Sequence, residues 1–129
     1  MIINPHSGFL PLFRGMNVIE WSLIYGFIPY TTIHFINTGI DTGKIAGAKL
    51  ITLQPADNEQ TIAWKTIKVG TQLMLETVDK WKLGTLYLKE QKQFGRLYKM
   101  NEFDPAAILK VKNMVESGEL KLQIEKVIS

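Results

Sequence analysis

Three polar side chains stand out in a part of the sequence that carries almost no charge: Asn4, His6 and Asp41. Residues 1–43 hold only Arg14, Glu20 and Asp41, which is 3 of the chain's 27 charged residues. A stretch this poor in charge reads as mostly interior, and an ionisable group left inside it must be paired, solvated or functional. An amide, an imidazole and a carboxylate together suit acyl transfer. The amide can donate to a developing oxyanion. The imidazole can hold or pass a proton near neutral pH. The carboxylate can orient the imidazole or take a proton from an amine. On spacing alone each residue also has a plainer reading. Asn4 before Pro5 can be a turn residue, His6 an exposed loop histidine, and Asp41 the closer of an Asx-turn. His34 on an apolar strand reads as a satisfied core histidine, and Arg14 as a solvated or paired structural charge.

The elements that must position these groups follow from local pattern. Residues 1–4 read as the tail of a buried strand ending at Asn4, with His6 in the Pro- and Gly-punctuated loop beyond it. Asn17 and Glu20 are spaced as a capping box, which predicts a helix to about Tyr25 with Gly26 as its stop. Thr31 to Ile36 is β-branched and aromatic and reads as a strand. Asn37 to Gly43 is turn chemistry, and Asp41 sits in it. Lys44 to Leu53 reads as a second strand, with Gly47 marking a bulge or close backbone approach. The loop Gln54 to Asn58 can cap a helix over Glu59 to Lys82. There Ala63, Ile67, Gly70, Met74, Val78 and Trp81 make one face, and Gly70 predicts a close approach to a neighbour. Thr85 to Met100 reads as short strands. Asp104-Pro105 starts a helix that Gly118 stops, with Ile108, Val111 and Val115 as its apolar face. Glu119 to Ser129 reads as strand or frayed helix. Strands interleaved with helices make an α/β layer structure. Loops beyond strand carboxyl ends are where such sheets place ligands.

The 129 residues suit one domain. With 46% hydrophobic and 21% charged residues the chain is not disordered. It contains no cysteine, which excludes a disulfide framework, a thiolate metal site and a cysteine nucleophile. A net charge of +3 without a run of like charges gives no general nucleic-acid surface. The longest apolar stretch, Ser22 to Ile36, is interrupted by Gly26, Pro29 and His34 and is too short to span a bilayer. No basic start with a small-residue cleavage site is present, so the sequence reads as cytoplasmic.

The run Asn4-Pro5-His6-Ser7-Gly8-Phe9-Leu10-Pro11-Leu12-Phe13-Arg14-Gly15 resembles the loop signature of the folate-dependent formyltransferases. That pattern is Asn-x-His, small residues, Leu-Pro, an aromatic and Gly. Glu20-Trp21-Ser22 resembles the helix that follows it. The run from His34 to Ile45 is similar to the family's second signature, a His-containing strand leading into Gly-x-Asp-x-Gly. The resemblance covers about residues 2–82. Pro5 replaces a usual aliphatic residue, Pro29-Tyr30 a usual Thr-Gly, and Asn37 a usual acidic residue.

The resemblance implies a partial Rossmann-like α/β sheet, the C-terminal half of the formyltransferase domain, with flanking helices. Residues 1–84 would be the core bearing the signatures, and 85–129 an extension with a helix near 105–117. It implies formyl transfer from 10-formyltetrahydrofolate, as co-substrate and without a metal, to a primary amine. Asn4 and His6 would stabilise the oxyanion, and Asp41 would orient His6 and assist proton transfer. Asn37, Thr38, Gly39 and Asp41 would hold the folate, with His34 and Arg14 behind them. Arg14-Gly15 and Glu20-Trp21 look more like the sugar and methionyl-tRNA enzymes than the purine-pathway enzyme. An amino sugar nucleotide is the preferred acceptor, and tRNA the alternative. Two other readings keep the signatures: a formyltetrahydrofolate hydrolase, and an inactive fragment or interaction module. Family members carry further strands ahead of the Asn-x-His loop. The chain therefore reads as an incomplete domain, or as a relative that completes its sheet by self-association at an exposed edge.

Overall fold

Tyr30 to Phe35 becomes the middle strand of the main sheet because its β-branched and aromatic side chains suit a surface packed on both faces. In a computed structural model that describes residues 2–128, the chain runs β1 (Ile3–His6), β2 (Arg14–Gly15), α1 (Val18–Ile24), β3 (Tyr30–Phe35) and β4 (Ile45–Leu50). It continues with α2 (Glu59–Lys82), β5 (Leu97–Tyr98), a 3-10 turn at Met100–Glu102, α3 (Pro105–Glu116) and α4 (Glu119–Ile128). The sheet has the order β1-β3-β4, and β3 pairs antiparallel with both neighbours. β2 and β5 form a separate parallel pair.

The register of β1 on β3 places the site. Asn4 stands opposite His34, and His6 opposite Thr32. Alternation along a strand puts all four on one face. Pro5 projects to the other face, and among the described residues β1 pairs on one side alone, an edge position where a sheet tolerates proline. His6 therefore lies on the strand itself, not in a loop beyond it.

Helix α2 covers the other face. A Cβ on Gly70 would come 3.2 Å from the Thr31 methyl and 3.5 Å from Pro5 Cβ, so the expected close approach at Gly70 is present. The rest of the predicted face is displaced. The residues turned inward are Ile62, Thr66, Gly70, Leu73 and Thr77, whereas Ile67 and Trp81 are exposed. Threonine can occupy this face because its hydroxyl bonds back to the helix. Thr66 donates to Ala63 O at 2.6 Å and Thr77 to Leu73 O at 2.7 Å. Thr31 adds a bond to Thr66 O at 3.1 Å.

The helix ends mostly follow their signals. Asn58 caps α2 through the backbone N–H groups of Gln60 and Thr61, while Thr61 Oγ accepts from Asn58 N. Asp104 caps α3 at Ala107 N, 2.9 Å away, with Pro105 in the first turn. Asn17 does not form the expected capping box: it adopts a left-handed φ of 55° and makes no side-chain cap bond. Gly47 is not pressed, since a Cβ there would meet Leu73 at an ordinary 3.5 Å; the irregularity is one extra residue of β4 between Ile45 and Gly47. Helix α3 buries Ala107, Val111 and Met114, leaving Ile108 exposed. Glu119–Ile128 is helix, and Ser129 lies outside the described residues. Thr85 to Met100 supplies β5, an isolated bridge of Lys89 to Ile45 and the first residue of the 3-10 turn.

The main core joins Ile19 and Leu23 of α1 with Ile51, Leu53, Ile62, Met114, Leu120 and Ile124. A smaller aromatic cluster sets Phe13 and Trp21 against Tyr98, with ring centroids 5.9 and 5.4 Å apart. The charge-poor first third is not mostly interior. Ile2, Leu12, Met16, Tyr25, Phe27, Ile36 and Ile40 are exposed. Among the described residues no helix is long and apolar enough to cross a membrane.

Candidate active site

β1 presents Asn4 and His6, β3 presents His34, and the turn after β3 carries Asp41 back over them. The turn folds that way for local reasons. Asn37 Oδ1 accepts from Gly39 N at 3.0 Å and from Thr42 Oγ at 2.8 Å. Asp41 takes a left-handed φ of 53°, which Asp tolerates better than most residues. Gly43 passes so close to β3 that a Cβ would lie 1.6 Å from Phe35 O.

Asp41 then joins both histidines. Its Oδ2 is 3.5 Å from His6 Nδ1 and its Oδ1 is 3.3 Å from His34 Nε2. Gly15 N donates to Oδ2 at 2.8 Å. His6 is 6% exposed, and its Nε2–H donates to Phe13 O at 2.6 Å. Gly8 leaves room for that ring, since a Cβ there would come 2.7 Å from Nε2. His34 Nε2 also lies 3.3 Å from Asn4 Nδ2. That nitrogen can accept from the amide or donate to the carboxylate, according to its proton.

Burial, together with the neighbouring His34, pushes the His6 imidazole below its ordinary pKa against the opposing pull of Asp41 and the Phe13 carbonyl. Burial would raise the Asp41 carboxyl, but the His34 hydrogen bond, the His6 charge and the Gly15 N–H together hold it below its ordinary value. The resting arrangement is therefore a carboxylate beside a neutral, buried imidazole.

Asn4, His6 and Asp41 meet at a cavity of about 500 Å³, whose other walls include Met16, Ile40, Tyr98 and Met100. Asn37, Thr38 and Gly39 are exposed on the turn and do not line it. His34 lies beneath, on Asn4 and Asp41. Arg14 is neither free nor in the cavity. Its Nη1 donates to Ile40 O at 3.2 Å, its Nε and Nη2 donate to Gly95 O, and its guanidinium lies over Phe94.

Sequence reasoning missed three contributors: the Gly15 N–H, Gln91, and the wall from Leu97 to Met100. Gln91 donates to Asp41 O at 3.0 Å and to Gly43 O at 2.7 Å. No local pattern marks it, because it stands among Lys89, Glu90, Lys92 and Gln93 in an otherwise exposed stretch. Among the described residues, no group of three or more His, Cys, Asp or Glu side chains is arranged to hold a metal ion.

The family model for formyl transferase matches residues 1–78. A methionyl-tRNA formyltransferase from Thermodesulfovibrio yellowstonii is 40% identical over 90 residues, which is 69% of this chain and 29% of that protein. The chain thus spans less than a third of that relative's length. Among solved structures, the formyltransferase PseJ from Anoxybacillus kamchatkensis superposes with a TM-score of 0.77 at 24% identity, over 92% of this chain and 63% of that one. It was solved in complex with UDP-4,6-dideoxy-4-formamido-L-AltNAc and tetrahydrofolate. A likely sugar N-formyltransferase from Mycobacterium tuberculosis superposes with a TM-score of 0.69 at 27% identity, over 78% of this chain and 44% of that one. With its α/β fold shared with these structures and its two signatures inside the matched span, the chain belongs to the formyl transferase family.

Proposed function

We propose that the protein transfers a formyl group from 10-formyltetrahydrofolate to a primary amine, with an amino sugar nucleotide as acceptor. The observation that carries the reading is the meeting of Asn4, His6 and Asp41 at one cavity. An apolar wall of Met16, Ile40, Leu97 and Met100 beside these polar groups suits a flat ring with one reactive polar end. Asp41 would contact a folate ring seated in the cavity, and Asn37, Thr38 and Gly39, exposed outside its wall, would meet the folate beyond the ring. The bound folate supplies an activated formyl group on nitrogen.

Asn4, whose amide nitrogen rests 3.3 Å from His34 Nε2, donates an N–H to the oxyanion that forms as the amine attacks the formyl carbon. The Asp41 carboxylate takes the proton that the amine loses. His6 Nδ1, 3.5 Å from Oδ2, receives it in turn. Because burial keeps His6 neutral beforehand, its positive charge arises only as the oxyanion does. The carbon–nitrogen bond to the folate then breaks, and the proton returns through Asp41 to the folate nitrogen. His34 and the Gly15 N–H hold the carboxylate in place throughout.

The fold neighbours that act on amino sugars support that acceptor, and a net charge of +3 without a basic cluster disfavours tRNA. Methionyl-tRNA is the second reading, favoured by the 40% identity to the Thermodesulfovibrio yellowstonii protein. A cytoplasmic location and self-association through the free edge of β1 belong to the same proposal.

The test is to incubate the protein with 10-formyltetrahydrofolate and, separately, amino sugar nucleotides, methionyl-tRNA or no acceptor, and to follow tetrahydrofolate. We expect release only with an amino sugar nucleotide. Asp41→Asn should lower kcat about 10²–10⁴-fold while leaving the circular dichroism spectrum unchanged. Release with methionyl-tRNA alone selects the second reading. A folded protein that releases no tetrahydrofolate with any acceptor overturns formyl transfer.

A further inference from the structure

We propose that Gln91 is a positioning residue for Asp41, and that residues 89–98 form a strap that fixes this carboxylate at the cavity; the catalytic part of the claim rests on the formyl-transfer reading of that cavity. Gln91 lies beyond the residues 1–78 that define the family match. It is 9% exposed, whereas Lys89, Glu90, Lys92 and Gln93 face solvent. Its Nε2 donates to two backbone carbonyls of one turn, Asp41 O at 3.0 Å and Gly43 O at 2.7 Å. Its Oε1 is buried with no partner among the described residues. The side chain is thus held for its donors, at the expense of its acceptor.

The turn it grips is one that needs holding. Asp41 has a positive φ, and Gly43 runs against Phe35 O with no room for a side chain. The same segment reaches this turn twice more. Gly95 O receives Arg14, whose other nitrogen donates to Ile40 O, the residue before Asp41. β5 pairs with β2, and the N–H of Gly15 in β2 donates to the Asp41 carboxylate. The Lys89–Ile45 bridge anchors the start of the strap to the sheet. Two bonds from Gln91 thus tie the Asp41 carbonyl and the backbone after it directly to one ten-residue segment, while Arg14 and Gly15, themselves held by that segment, bond the residue before Asp41 and its carboxylate. Gln91 does not line the cavity, so it acts through Asp41 and not on a substrate.

The test uses Gln91→Met, which keeps length and bulk but removes both donors, and Gln91→Glu, which sets a carboxylate against two carbonyls. kcat and KM are measured separately, and the histidine ring titrations are followed by NMR. Asp41 and His34 are the ionisable groups facing His6, and Asp41 is the one that raises its pKa. If the strap positions Asp41, both variants lose about 10–100-fold in kcat with KM for 10-formyltetrahydrofolate nearly unchanged. His6 then titrates still lower than in the parent protein, because the carboxylate no longer stands 3.5 Å away. Folded variants with parental kcat and parental His6 titration overturn the proposal. So does failure of both variants to fold, which makes Gln91 a structural residue only. If the parent protein releases no tetrahydrofolate with any acceptor, the formyl-transfer reading fails, while the His6 titration still decides whether the strap positions Asp41.

Discussion

His6 and Asp41 make the protein sensitive to acid at two different pH values. The unfolded chain protonates His6 near pH 6.5, while the buried imidazole in the folded chain resists protonation to lower pH. Stability rises with pH wherever the unfolded state binds more protons. His6 therefore costs nothing above pH 6.5 and weakens the fold as pH falls below it. Asp41 has the same sign in a lower window: its contribution is present above pH 3.8 and is lost as pH falls through its lower folded value. Urea unfolding at several pH values should show stability dropping from about pH 6.5 downward, by at most about 1.4 kcal/mol per pH unit from this one group. His6→Gln should flatten that first decline and leave the second, below the ordinary carboxylate range. An undiminished decline in His6→Gln would place the sensitivity elsewhere. At this scale the sequence was informative about identity more than geometry. Asn4, His6 and Asp41 could be picked out as polar groups in a charge-poor stretch. That His34 would lie between Asn4 and Asp41 depends on the β1–β3 register, which no local pattern states.

Helix α2 shows how an element can be legible in extent and misread in orientation. Its range follows from a cap at Asn58, helical spacing and a glycine after its last turn, and all three are local. Its inward face was misassigned because apolar residues were counted and threonines were not. Thr66 and Thr77 bond their hydroxyls to helix carbonyls and then pack as small branched side chains. The true face is rotated from the expected one, and Gly70 is common to both. In α3 the expected Val111 lies inside and Val115 packs on the core, while Ala107 and Met114 take the inward places beside them and Ile108 lies outside. A pair of substitutions separates the two orientations of α2. Leu73→Ala opens space beneath β4 and should destabilise the protein by about 2–5 kcal/mol. Ile67→Ala removes a side chain that is 59% exposed and should change stability by no more than about 0.5 kcal/mol. Denaturant midpoints measure both. Equal losses, or the larger loss at Ile67, would restore the face read from apolar spacing.

At the scale of the whole molecule, the signatures and the fold do not occupy the same span. Both signatures, and the family match, end before Gly84. The core does not. Of the eight residues in the main cluster, Met114, Leu120 and Ile124 come from α3 and α4, and they share it with Leu23, Ile51 and Ile62. Tyr98 likewise completes the aromatic cluster on Phe13 and Trp21. Sequence reading could not find this dependence, because the contacts join residues about 100 positions apart, as in the bond from Gln123 to Leu23 O. The energies decide what removal of that segment would do. Truncating one large buried side chain costs about 2–5 kcal/mol, and a domain is stable by only about 5–15 kcal/mol. Three core side chains lost together with Tyr98 and the Gln91 strap match or exceed that reserve. A chain ending at Gly84 should therefore unfold without a sharp thermal transition and should bind a hydrophobic dye at Leu53 and Ile62, which the full chain buries. Calorimetry and dye fluorescence on the two lengths measure this. A cooperative transition in the shorter chain, with no dye binding, would mean that the signature-bearing residues hold themselves together and that the later helices only decorate them.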